Sequence, residues 1–244
     1  MRLAADQGLA LAALILLLWF ASLGGVLALD LSTLAAPIGL AAVLLRTLLH
    51  TGLFIVAHDA MHGLLLPRWP RANHQLGALA LGLYGALGYG RCRRNHALHH
   101  QRPASASDPD FHRDPGDGAL RWYVDFMGGY LSPPQMALLL AGWGALATGL
   151  WLTQAIPWQE AGLRVLIGCT LPLLLSSVQL FVVGTYLPHR RHGTDGPISL
   201  AWPSWLSLLA CYHFGYHREH HEQPGLAWFE LPQAHRRNKT LALP

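Results

Sequence analysis

Four long runs of apolar residues constrain this chain more than any other feature. The first, from about Leu9 to Leu29, contains no charged side chain. In hydrocarbon a peptide group has no water to bond, so such a run satisfies its backbone only as a helix. At about 1.5 Å per residue it is long enough to cross roughly 30 Å of hydrocarbon. It is too long for a signal-peptide core and no small-residue cleavage site follows it, so it reads as a retained span. A second helix is expected from Ala35 to about His62; at about 1.5 Å per residue it exceeds what a bilayer needs, so its end should project. Two more spans are expected over Met136–Ile156 and Leu163–Tyr186, separated by the tight IPWQEAG connection. Residues 76–90 are apolar but short and Gly-rich, which suits an interfacial or re-entrant segment. The expected fold is an all-α integral membrane protein with four transmembrane helices, forming a single domain over residues 1–244.

Composition agrees. Hydrophobic residues make up 52% of the chain and charged ones only 12%, which excludes an ordinary soluble domain. The net charge of +4 does not indicate nucleic acid, because 16 of the 17 basic residues are Arg and they sit in loops beside the apolar runs. Arg2, the eight arginines between spans two and three, and the six basic residues after span four put 15 of 17 on one side of the membrane. The positive-inside rule makes that side cytoplasmic, with both termini. Cys92, Cys169 and Cys211 form no C-x-x-C pair, so neither a disulfide framework nor a thiolate metal site is indicated.

The same side holds the histidines. FIVAHDAMHG places His58 and His62 one helical turn apart. RRNHALHHQRP supplies His96, His99 and His100, and FGYHREHHEQP supplies His217, His220 and His221, both with i, i+3, i+4 spacing. A lone pair of histidines at such spacing is weak evidence, since helix caps and interfaces use them too. Three groups at or just past helix ends on one membrane face form a cytoplasmic histidine-rich cap. Eight imidazoles are too many for one zinc and fit two metals. No H-E-x-x-H motif points to a zinc protease. Two redox-active irons imply activation of O2 as co-substrate, and an all-nitrogen shell favours a site oxidising enough to attack an unactivated C–H bond.

His189, directly after the fourth span, is a ninth candidate ligand. His192 reads as a loop residue, and so do His74, His213 and His235, with an interface position as the alternative for the last three. His112 is a candidate for a place behind the ligands or beside the substrate. His50, near Arg46 inside the bilayer, is either functional or part of a polar seam between helices. Asp59, Asp108, Asp110, Asp125, Glu219, Glu222 and Asn95 are candidate partners for the second ring nitrogens of ligating imidazoles. Trp122, Tyr123, Phe126, Tyr130 and Phe181 are candidate substrate-lining aromatics, although Trp and Tyr collect at membrane interfaces in any case.

The order H-x-x-x-H, H-x-x-HH, H-x-x-HH around four spans resembles the membrane fatty acid desaturase and hydroxylase superfamily. The words HDAMHG, NHALHHQRPASASDPDFH, LFVVGTYLPHR and FGYHREHHEQPGLAWFELP are similar to those of bacterial and cyanobacterial β-carotene ketolases, from about His50 to Gln233. The resemblance implies two irons, O2 and an external electron donor such as ferredoxin. It also implies oxidation of C4 of a β-ionone ring to a ketone, by two hydroxylations and loss of water, so that β-carotene becomes echinenone and then canthaxanthin. The superfamily commonly carries a His after the last span, four residues beyond an Asn. His189 matches that His, and Thr185 stands where the Asn would be. AWFELP departs from the Pro-Trp-Trp wording expected there. The plasma membrane or a thylakoid is the expected location. The remaining readings are an acyl desaturase or hydroxylase, a carotenoid 3-hydroxylase, and a membrane metal transporter, which would place its ligands near mid-bilayer.

Overall fold

A computed structural model describes residues 2–31, 35–112, 114, 116–190 and 196–241. Among these, regular structure is helical throughout. Helix α1 spans Arg2–Ala28, α2 Ala36–Met61, α3 Pro70–Gly85, α4 Tyr89–Gln101, α5 Ala119–Tyr130 and α6 Pro133–Gln154. The fourth apolar run is one long helix with two interruptions. It comprises α7 (Trp158–Val165), a π turn (Leu166–Thr170), α8 (Leu171–Leu180), a second π turn (Phe181–Tyr186) and α9 (Leu187–His189). Short helices α10 (Ser204–Cys211), α11 (His217–Glu222) and α12 (Leu231–Leu241) complete the chain.

Among the described residues, four helices are long and apolar enough to cross a membrane: Ala4–Ala28, Ala36–Met61, Pro133–Gln154 and Trp158–His189. They reproduce the four expected spans with small shifts at the ends. The apolar window of α2 is 61% buried and that of α6 only 11%, which makes α2 the centre of the bundle and leaves α6 facing lipid. Exposed Leu14, Leu17, Phe20, Leu138, Leu152 and Leu174 would be a liability in water and are the expected surface in a bilayer. The segment at 76–90 is no span: α3 packs along α2 and turns at Ala86, in the left-handed region, into α4.

Polar groups inside the bundle are matched between helices, as hydrocarbon requires. The His50 ring accepts from the Trp19 indole at 3.1 Å and donates to the Tyr84 carbonyl at 2.5 Å, tying α1, α2 and α3 together. His50 therefore belongs to a polar seam and not to the metal site. The Arg46 guanidinium donates to the carbonyls of Gly168 and Trp19 at 2.9 and 2.6 Å, so the first π turn gives this buried cation an acceptor on the fourth span. At the opposite end of the bundle Arg164 donates to the Leu27 carbonyl and to Gln154, and pairs with Glu160. The Thr51 hydroxyl donates to Gln179 Oε1 at 2.6 Å and lies 2.8 Å from the Ser176 hydroxyl, joining α2 to α8. Cys92, Cys169 and Cys211 are free and buried.

Close approach of α3 to α2 depends on Gly77. A Cβ there would lie 2.6 Å from that of Ala60 and 2.5 Å from the Tyr89 ring. This contact fixes the start of α4, the helix that carries three of the histidines.

Candidate metal centre

Even-numbered spans end on the same side, and the ends of α2 and α9 bring His58, His62 and His189 together there. Helices α4 and α11 lie outside the spans and supply the other six imidazoles. The nine predicted ligands form two groups, His58, His62, His96, His100 and His220, and His99, His189, His217 and His221. Within each group the ligand atoms lie within 4.8 Å of one another.

The sequence clusters are not the spatial ones. On a helix i and i+4 share a face, while i+3 points to its other flank. Helix α4 therefore sends His96 and His100 to the first group and His99 to the second. Helix α11 does the reverse, with His217 and His221 in the second group and His220 in the first. Each helix bridges both groups, so neither group forms without both helices.

The nitrogens converge on shared points. Nε2 of His62 and His96 are 2.8 Å apart, those of His100 and His220 2.9 Å, and those of His58 and His220 3.2 Å. In the second group His221 Nε2 lies 3.0 Å from that of His99 and 3.1 Å from that of His217. Imidazole nitrogens roughly 2.1 Å from one metal ion are spaced by about 3 Å when adjacent, so the set fits a metal in each group. His189 Nε2 is buried with no hydrogen-bond partner, as an atom facing a metal should be. Burial and then neighbouring imidazoles pull His96, His217, His220 and His221 well below the usual imidazole range. Burial takes His62 to about 4, and His100 to about 3 with its neighbours' help. These rings are neutral at physiological pH, which is the form that ligates.

Two of the second ring nitrogens have hydrogen-bond partners, one a carboxylate and one a main-chain carbonyl. His99 Nδ1 donates to both oxygens of Asp108, at 2.9 and 3.0 Å. Burial alone would lower the His99 pKa, but the hydrogen bond to Asp108 and the nearby carboxylates raise it. His189 Nδ1 donates to the Thr185 carbonyl at 2.8 Å, so the main chain of the second π turn orients this imidazole. π turns inside helices often mark functional sites. His58 Nδ1 and His217 Nδ1 are buried without a hydrogen-bond partner, Asp59 Oδ1 lying 3.5 Å from the former.

The other candidate partners do different work. Asp125 pairs with Arg121 on the surface, and exposed Glu222 accepts from Asn238. Glu219, on the back of α11, accepts from His235 at 2.9 Å and from Ser199. These hydrogen bonds outweigh burial and hold its carboxyl below the usual range. His235 thus belongs to α12 and clamps the ligand helix, and His74 belongs to α3, bonded to Tyr89; neither is a loop residue. His213 does sit in the turn after α10, with positive φ at both it and Tyr212. His112 joins neither group and packs against Trp122. His192 lies outside the described residues.

An apolar cavity reaches the centre. His58, His96, His99 and His217 form part of its wall, with Phe54, Met61, Leu87, Phe126, Met127 and Phe214 among the rest. Of the five aromatics expected along the substrate route, Phe126 and Tyr130 line it. Phe181 and Trp122 are buried behind them, and Tyr123 bonds Ser177. Phe54 was legible, since it precedes His58 by one turn on the same face of α2. Leu87 and Phe214 follow loops and carry no such signal. Asp110 also faces the cavity and accepts a short hydrogen bond from the Tyr130 hydroxyl. Burial pushes the pKa of both groups up.

The sequence model of the fatty acid desaturase family matches residues 31–244. The beta-carotene ketolase of Paracoccus sp. (strain PC1) is 39% identical over 195 residues, which cover 77% of this chain and 75% of that protein. The beta-carotene 4-ketolase of Protosiphon botryoides is 40% identical over 197 residues, 75% of this chain and 48% of the relative. The zeaxanthin 4-ketolase of Chlamydomonas reinhardtii is 37% identical over 203 residues, 80% of this chain and 44% of the relative. The family match takes in three of the four spans and all nine histidines of the two groups, and on that extent the chain belongs to the fatty acid desaturase family.

Proposed function

We propose that this chain is a carotenoid ketolase: a membrane-embedded, O2-dependent di-iron enzyme that converts the C4 methylene of a β-ionone ring to a ketone. The observation that carries the reading is the convergence of nine imidazoles into two groups, four of them on the wall of an apolar cavity, at the end of a bundle of apolar helices. Relatives named for ketolation of beta-carotene and zeaxanthin supply the substrate class.

Iron held by the two groups supplies activation of O2, with electrons from an external donor, for which a ferredoxin is the proposed class. Asp108 and the Thr185 carbonyl keep His99 and His189 turned with Nε2 inward. The apolar wall takes up a hydrocarbon ring and excludes water, and the imidazoles on that wall set where along the ring oxidation occurs. Each hydroxylation consumes one O2, two electrons and two protons, and releases one water. Two at C4 give a geminal diol, which loses water to leave the ketone.

A carotenoid is dissolved in the bilayer, so a site at the ends of the spans meets its ring without extracting the whole molecule. The excess of basic residues on that side supports a cytoplasmic active site and cytoplasmic termini, in a plasma or thylakoid membrane. The chain acts as one domain. Expression in a host that accumulates β-carotene, followed by pigment analysis, tests the reading. Echinenone and canthaxanthin are expected. Carotenoids hydroxylated only at C3, or altered acyl chains with unchanged carotenoids, would overturn it.

A further inference from the structure

The wall of the cavity carries one carboxyl group among the described residues, that of Asp110. The carboxyl is bonded by one neighbour and the main chain of Asp110 by two more. The Tyr130 hydroxyl donates to Oδ1, the Trp122 indole donates to the main-chain carbonyl at 2.9 Å, and the Asp110 N–H donates to Asp108 at 2.9 Å. Asp110 and Tyr130 are each 9% exposed, so the pair reaches the cavity surface instead of being sealed behind it.

A carboxyl among phenylalanines, leucines and methionines is costly to bury unless something polar meets it. The β-ionone ring of β-carotene is hydrocarbon and offers it nothing. The product of the first oxidation is different, because it carries a hydroxyl on the carbon to be oxidised again. That alcohol is also the species an enzyme making ketones has to retain.

Resting on the function proposed above, we infer that Asp110, positioned by Tyr130, binds the hydroxyl of the C4 alcohol. It thereby holds that carbon at the metal centre for the second hydroxylation. Asp108 and Asp110 divide the work of one short loop: the first orients ligand His99, and the second reads the partly oxidised substrate. A site that hydrogen-bonds a hydroxyl favours a ligand that carries it over one that lacks it. Tyr130 is a positioning residue here, and Asp110 a specificity-determining one.

The test is the product ratio in a β-carotene-accumulating host carrying the full chain, Tyr130→Phe or Asp110→Asn. The native chain should give ketones with little 4-hydroxycarotenoid. Both variants should raise the ratio of 4-hydroxy to 4-keto product by roughly tenfold or more, the discrimination carried by one such hydrogen bond. With 4-hydroxylated substrate supplied to membranes, Tyr130→Phe should raise KM for that alcohol by a larger factor than KM for β-carotene. A merely structural role lowers both products together and leaves the ratio at the native value, and that result overturns the inference. If the native chain makes no ketone, the functional reading fails instead, so the two failures are distinguishable.

Discussion

Both carboxylate oxygens of Asp108 accept from Nδ1 of His99, at 2.9 and 3.0 Å, and Asp108 is itself buried. The pair is held in turn by the Ala104 N–H, which donates to Asp108 at 2.8 Å. A buried anion on the far nitrogen fixes the tautomer and makes Nε2 a stronger donor to metal. Loss of such a partner typically costs about 10–100-fold in metal affinity or activity. Asp108→Asn should therefore lower ketone formation by about tenfold, and Asp108→Ala by more, with less iron retained on dialysis against a chelator. Native iron retention in Asp108→Ala would show that His99 needs no such partner.

The exchange of i+3 histidines between α4 and α11 makes a sharper forecast. His220→Ala and His221→Ala change adjacent residues, yet they strike different groups. Each should abolish turnover and weaken one metal position while leaving the four or three remaining imidazoles of the affected group and the whole of the other. Iron-to-protein ratios on purified variants should fall part way in both cases. Complete loss of iron from one variant and none from the other would mean that the two positions are not separately held.

Glu219 is the link between the ligand helix α11 and the C-terminal helix α12, through His235. Hydrogen bonds involving a charged group contribute about 1.5–3 kcal/mol each. Glu219→Gln should lower the detergent-solubilised protein's unfolding temperature by several degrees and loosen iron binding, although Glu219 touches no metal position. His235→Ala should show the same direction with a smaller effect. An unchanged unfolding temperature in both would remove the clamp from the explanation.

Gly77→Ala tests how α4 is placed. Its Cβ would sit 2.6 Å from that of Ala60, and overpacking of this kind costs about 1–3 kcal/mol. Displacement of Tyr89 at the start of α4 should reduce iron content as well as thermal stability. Gly82→Ala, on the same helix with open space around it, is the control and should be neutral on both.

The legible part of this protein was what hydrocarbon and metal chemistry impose on residue type. Apolar runs fixed four spans because lipid leaves the backbone no alternative, and histidine is rare enough that nine at helix ends stand out. The partition of His96, His99 and His100 between two groups was written in the same 3.6-residue period that clustered them, but reading it needed the position of α11. The π turn at Phe181–Tyr186 carries no residue signature, so orientation of His189 by the Thr185 carbonyl was out of reach. Glu219 and Asp108 look alike in sequence, each a carboxylate near a histidine box, and only packing separates a clamp from a ligand's partner. Phe214 carries no such signal, because a cavity wall and a packed core use the same side chains.

The claim on which the rest depends is that the two histidine groups hold two irons. The most direct measurement is the metal content of the purified, full-length protein by elemental analysis, paired with that of His100→Ala and His217→Ala. Two irons per native chain are expected, with a partial loss in each variant, since one residue comes from each group. A single ion per chain, or zinc retained at full occupancy in an active preparation, would contradict it.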